Sequence, residues 1–141
     1  MKYTLLLLFA FALGSCGIKY TASTLPEKQI LFGEGGGFSG NVKEYILLEN
    51  GQLFTRTTFA GTPEELPKVK KKTAETIFQE LTPTIMEMEY IKPGNKYAYI
   101  QYQVDSSTNY RVVWSESDEK APEKAVNYFD QLKGLVKPAK E

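Results

Sequence analysis

The sequence predicts an α+β fold: an antiparallel sheet of about five strands, made of two hairpins and an N-terminal strand, with two helices packed on one face. Three observations carry this. Ala98, Ile100, Tyr102 and Val104 alternate with Tyr97, Tyr99, Gln101 and Gln103, and Tyr110, Val112 and Trp114 alternate with Arg111, Val113 and Ser115; a period of two belongs to a strand. Asn50-Gly51 separates two further β-like runs. Two later stretches repeat apolar residues at helical spacing and are bounded by prolines.

The first element is a strand from Gln29 to about Glu34, running into Gly35-Gly36-Gly37-Phe38-Ser39-Gly40. Three consecutive glycines cost backbone entropy, so the segment needs positive φ, a bulge or a close backbone approach. A phosphate-cradling loop needs a helix N-terminus after it and usually a lysine. A strand follows here, which discards nucleotide binding. Two readings remain: a bend between the first strands, or a flexible loop that presents Phe38 to a partner.

Val42–Glu49 and Gln52–Phe59 form the first hairpin. Asn-Gly favours a two-residue type I′ turn, because both central residues need positive φ. That turn pairs Leu48 with Leu53, Leu47 with Phe54, Tyr45 with Arg56 and Val42 with Phe59. Val42, Ile46, Leu48, Leu53 and Phe59 then make the core face, and Lys43, Tyr45, Leu47, Glu49, Gln52, Phe54 and Arg56 the outer one. Thr62-Pro63-Glu64-Glu65 has the form of a capping box, but Pro67 interrupts it. The longer helix is therefore placed from Pro67 to about Leu81, with Val69, Ala74, Ile77, Phe78 and Leu81 on one face and Pro83 as its stop. Lys92-Pro93-Gly94-Asn95 suits a type II turn. In the second hairpin Val104 pairs with Tyr110, Tyr102 with Val112 and Ile100 with Trp114, favourable aromatic and β-branched pairs. The last helix opens near Ala121-Pro122 and aligns Ala125, Phe129, Leu132 and Val136.

Ahead of this domain, Met1-Lys2 supplies one positive charge, residues 5–13 are uncharged and apolar, and Gly14-Ser15 precede Cys16, the only cysteine in 141 residues. A charged start, a short apolar core and a small-residue cleavage site make a signal peptide; a membrane-spanning helix needs about 20 residues. Leu13-Gly14-Ser15-Cys16 resembles the lipobox of bacterial lipoproteins. The resemblance implies a diacylglycerol thioether on Cys16, cleavage just before it and acylation of the new amine. It also implies a cell-envelope location and, because Gly17 stands where an inner-membrane retention signal has aspartate, the outer membrane if the cell has one. Residues 1–15 are then the signal peptide, 16–27 the lipidated cysteine and tether, and 28–141 one α+β domain. Residues 17–27 are polar, small and proline-containing, with a fully extended reach of at most about 35–40 Å, enough to hold the domain clear of the headgroups.

Loss of residues 1–15 leaves 126 residues with 16 basic and 17 acidic side chains. Nucleic-acid binding would show a basic excess, so no nucleic-acid partner is expected. The absence of histidine removes Ser-His-Asp and Cys-His devices and the usual zinc ligand sets. Two-carboxylate or Ser-Lys chemistry stays open in principle, but the acids are dispersed and no serine sits in a nucleophile elbow. The chain reads as a non-catalytic protein with no cofactor and no metal.

Its leading candidate surface is the outer sheet face, where Tyr45, Phe54, Arg56, Tyr97 and Tyr99 would bind a protein or envelope component, since aromatic and arginine side chains are favoured in hot spots. The competing reading covers part of that face with the N-terminal strand, the tether or a helix. The second candidate is Gly36-Gly37-Phe38-Ser39-Gly40. After an apolar strand and before a hairpin, this stretch is similar to the Gly-Gly-Phe-Ala-Gly start of emfourins, small inhibitors of thermolysin-like metalloproteases, with Ser39 in place of the alanine. The resemblance implies protease inhibition through this segment. Finally, Lys68 and Lys70–Lys72 form a basic run; lysines near anionic lipid contribute about 1 kcal/mol each, and a solvated helix face is the plainer reading. Replacing Cys16→Ser is expected to abolish acyl mass on the amino terminus and to release the protein from the membrane fraction, checked by mass spectrometry and cell fractionation.

Overall fold

The computed structural model describes residues 17–136; residues 1–15, expected to be a signal peptide, and Cys16 lie outside the described residues. Seven strands and two helices follow one another as β1 (Gln29–Gly36), β2 (Val42–Leu47), β3 (Leu53–Arg56), β4 (Glu64–Leu66), α1 (Lys71–Glu87), β5 (Tyr90–Lys92), β6 (Lys96–Gln103), β7 (Asn109–Ser115) and α2 (Glu123–Leu135). The strands form one sheet in the order β4-β3-β2-β1-β6-β7-β5. All neighbours are antiparallel except β5 and β7, which run parallel. The α+β class with two helices holds. The sheet is larger than expected and mixed, because two three-residue strands extend its edges.

Both helices cover one face. Ala74, Ile77, Phe78, Leu81 and Ile85 of α1 and Ala125, Phe129 and Leu132 of α2 pack on Ile30, Phe32, Tyr45, Leu47, Ala98, Ile100, Tyr102, Val112 and Trp114. Phe32 stacks on Tyr45 with centroids 5.2 Å apart, and Trp114 meets Phe129 edge-on at 5.5 Å. Such aromatic pairs add about 0.5–1.5 kcal/mol beyond their buried area. Lys133 of α2 reaches Glu34 of β1 at 2.8 Å.

The first hairpin departs from the expected register by one residue. Leu47 pairs with Leu53, Ile46 with Phe54, Tyr45 with Thr55 and Glu44 with Arg56. The turn is closed by Gly51 N–H donating to Leu48 C=O, and only Gly51, with φ +90°, takes the left-handed conformation; Asn50 does not. This is a three-residue loop ending in a glycine bulge, not a two-residue type I′ turn. One residue of slip exchanges the faces of β2 against β3: Tyr45 and Leu47 join Leu53 under the helices, and Ile46 and Leu48 turn to the other side, where Phe54 lies as expected. Gly51 is held by Val69 N–H donating to its C=O.

The second hairpin slips by two residues, pairing Tyr102 with Tyr110, Ile100 with Val112 and Ala98 with Trp114. An even slip preserves the faces, so the expected core side is the observed one. Three other expectations are corrected. Residues 64–66 pair with β3 as edge strand β4 rather than opening a helix. Helix α1 starts at Lys71 and runs through Pro83 to Glu87. Proline removes the N–H that would bond Gln79 C=O, but both residues are exposed, so the orphaned carbonyl lies on the solvent side of the helix while Ile85 is fully buried. Gly94 has no positive φ, so no type II turn forms. Residues 93–95 instead pass over the end of β7, where a Cβ on Gly94 would lie 2.2 Å from Ser115 Oγ.

Residues 17–27, expected to be a spacer, pack on the domain instead. Tyr20 and Leu25 pack against Leu31, Ile46, Leu48 and Phe54 on the helix-free face. The buried Gln52 side chain accepts from Tyr20 N–H at 2.8 Å and donates to Tyr20 C=O at 2.9 Å, and Asn50 Nδ2 donates to Ile18 C=O at 2.9 Å. The segment is a third layer on that half of the sheet. A Cβ at position 51 would lie 2.2 Å from Val69 C=O on a backbone with φ +90°, so Gly51→Ala is expected to destabilise the fold by on the order of 3 kcal/mol, measured by urea denaturation.

Candidate functional site

The β1–β2 connection projects from the end of the sheet opposite to the β2–β3 turn. Gly36 and Gly37 have φ of +93° and +78°, and Gly40 has +62°. Gly36 also passes so close to the β5–β6 connection that a Cβ would lie 1.9 Å from Asn95 C=O, while Gly37 N–H donates to that same carbonyl at 2.8 Å. Gly40 N–H donates back to Gly37 C=O at 3.2 Å. A tight turn therefore sits on a fixed base, with Phe38 and Ser39 at its corner. Phe38 is fully exposed, at 112% of its reference accessibility. The bend expected of this stretch is present, and its base is fixed instead of being a flexible loop. A shallow depression of about 240 Å³ at its foot is lined by Glu34, Gly35, Gly36, Asn41, Val42, Lys43, Thr57, Lys96 and Glu116.

The helix-free face carries a buried ionic row. Arg56, Glu44, Gly33, Tyr99 and Val113 are successive neighbours across five strands. Gly33 makes the row possible. A Cβ there would lie 2.4 Å from Lys43 C=O and 3.0 Å from Tyr99 Oη, so only glycine lets the tyrosine lie across β1. Its hydroxyl donates to Glu44 Oε2. Arg56 Nε donates to Glu44 Oε1 at 2.7 Å. A carboxyl group with 2% exposure is costly to bury unless its oxygens are hydrogen-bonded, and both oxygens are. The guanidinium of Arg111 lies 4.3 Å from the Tyr99 ring centroid, and Phe59 and Tyr97 approach the same ring at 6.5 and 6.3 Å. Burial first, and then the bond to Glu44, push the Tyr99 hydroxyl far above the ordinary tyrosine pKa.

These placements divide the expected sheet-face residues. Tyr45 lies under the helices, Phe54 under the tether segment and Tyr99 within the row, all buried. Arg56 and Tyr97 stay half-buried, the first engaged with Glu44 and the second beside Tyr99. They do not assemble into an open aromatic patch. The residues of the glycine-rich turn do come together at the surface. Sequence reasoning passes over Glu44, although the expected register sets position 44 between Val42 and Ile46 on the core face; a carboxylate in that row is the available signal. Phe59, expected in the core, is half exposed.

Among the described residues, no group of three histidine, cysteine, aspartate or glutamate side chains is placed to hold a metal ion, and no helix is long and apolar enough to cross a membrane. Compared with known families and proteins, the chain matches no family model and no curated relative.

A tyrosine whose folded pKa is raised stabilises the fold below the unfolded value near 10 and loses that contribution as pH climbs beyond it. The loss approaches about 1.4 kcal/mol per pH unit above pH 10. In urea titrations from pH 7 to about pH 11, Tyr99→Phe should cost about 1–3 kcal/mol at neutral pH, by stranding Glu44 Oε2, and should flatten the alkaline decline.

Proposed function

We propose that this protein is a lipid-anchored, non-catalytic binding module of the bacterial cell envelope that engages a protein partner through the Phe38 turn. One observation carries the reading: a phenylalanine wholly exposed at the corner of a glycine turn whose base is fixed on Asn95. A large apolar side chain in water has no role in the monomer's own packing. On a restrained turn it loses little further freedom on docking, and aromatic anchors dominate binding energy when they fill a pocket. The aromatic sheet-face alternative is weaker, since Tyr45, Phe54 and Tyr99 are spent on internal packing. Anchoring rests on the resemblance of residues 13–16 to a lipobox, and location at the outer membrane on the same resemblance. The likeness of residues 36–40 to emfourins suggests a thermolysin-like metalloprotease as the first partner to test.

A photo-crosslinking amino acid at position 38, with one at exposed Met86 as control, is expected to trap a partner in intact cells from position 38 alone. Phe38→Ala should lower recovery of that partner at least tenfold without changing the denaturation midpoint. The same variant should relieve any inhibition of a thermolysin-like protease. Equal trapping from both positions, or unchanged recovery with Phe38→Ala, overturns the assignment.

A further inference from the structure

The tether segment does not leave the domain as a loose cord. Its last described residue toward the anchor, Gly17, lines a groove of about 510 Å³ together with Ile18, Tyr20, Asn50, Lys68 and Lys71, at the end of the sheet that carries the β2–β3 turn. Asn50 Nδ2 donates to Ile18 C=O, and the Gln52 side chain accepts from Tyr20 N–H and donates to Tyr20 C=O. If Cys16 carries lipid, as the proposed function has it, the acyl chains start one residue from a docked backbone. This end of the domain is then brought against the headgroups.

Its chemistry suits that position. Ile18 is 69% exposed beside the point of attachment. Lys19, Lys68, Lys70 and Lys72 are exposed, and none has an ion pair among the described residues. Of the neighbouring acids, Glu49 is paired with Lys28 at 3.1 Å and Glu75 with Lys71 at 3.6 Å, and Glu65 accepts a hydrogen bond from Gln52; Glu27, exposed at the same end, has no ion pair among the described residues. Asp105, in the β6–β7 turn at the same end, is turned back onto the N–H groups of Ser107 and Thr108. The first turn of α1 contains no acid, so the helix dipole adds to the lysine charge instead of cancelling it.

We infer that Lys19, Lys68, Lys70 and Lys72, with Ile18, form a surface that binds the anionic headgroups of the membrane holding the anchor. Contact through both lipid and lysines fixes the orientation of the domain. Strand β2 alone separates the two ends by about 20 Å, so the Phe38 turn is aimed away from the bilayer. Three lysines near an anionic surface shift such an equilibrium by on the order of a hundredfold.

The lipidated protein is purified from cells, its amino terminus is weighed by mass spectrometry, and it is reconstituted in vesicles of phosphatidylcholine with or without one-third phosphatidylglycerol. An environment-sensitive fluorophore is attached through Lys70→Cys or, separately, Ser39→Cys, and is challenged with a lipid-borne quencher. The expected result is quenching at position 70 only, in anionic vesicles only, lost in the combined Lys19→Gln, Lys68→Gln, Lys72→Gln protein although its acyl mass is intact. An acylated protein with equal quenching at both positions, or with no difference between the two vesicle types, overturns the orientation alone. An unmodified Cys16 overturns the anchoring reading and this surface with it.

Discussion

The reciprocal pairing between the Gln52 side chain and the backbone of Tyr20 governs how this fold is layered. Gln52 is 2% exposed, and an amide buried that deeply must find partners for its oxygen and its nitrogen. It finds them on the donor and the acceptor of Tyr20, and on Glu65 of the edge strand. Segment 17–28 is thereby fastened without becoming a strand of the sheet, and Tyr20 and Leu25 are held over Ile46, Leu48 and Phe54. Without that cover, the helix-free half of the sheet would expose a contiguous apolar area of the kind that soluble proteins avoid.

The other half of the same face solves the problem internally. Alternate glycines in β1 leave the outer surface without side chains at positions 33 and 35, and tyrosines from β6 lie across both. Tyr97 Oη would be 2.9 Å from a Cβ on Gly35, as Tyr99 Oη would be 3.0 Å from one on Gly33. Glycine weakens a strand because it packs nothing; here the neighbouring ring supplies the missing contacts. The arrangement also carries the Tyr99 hydroxyl over β1 to the Glu44 carboxylate.

Legibility in the sequence followed the arithmetic of strand pairing. The second hairpin is displaced by two residues from its expected register and loses nothing, since Ala98, Ile100 and Tyr102 still share a face with Tyr110, Val112 and Trp114. The first was displaced by one and exchanged Tyr45 and Leu47 for Ile46 and Leu48. Asn-Gly signals a turn but not its length, and Gly51 alone adopting positive φ decided the register. The helical stripe of α1 is legible up to Leu81; Pro83 has the local signature of a stop, because exposure of the orphaned carbonyl depends on tertiary placement. β4 and β5 were too short to leave any periodicity. The exposed turn at Phe38 was legible from its glycines, whereas the covered sheet face was not, because cover depends on a segment whose composition reads as a linker.

The two ends of the sheet set how copies of this protein behave when crowded. An unpaired strand edge is a template for joining sheets of neighbouring molecules. Here both outermost strands are three residues long. One presents Glu64 and Glu65 and runs into Pro67; the other ends at Lys92 and runs into Pro93. A foreign strand arriving at either border would find few hydrogen bonds, a charge, and then a ring with no N–H to offer. Joining of sheets from neighbouring copies is thereby disfavoured at both borders.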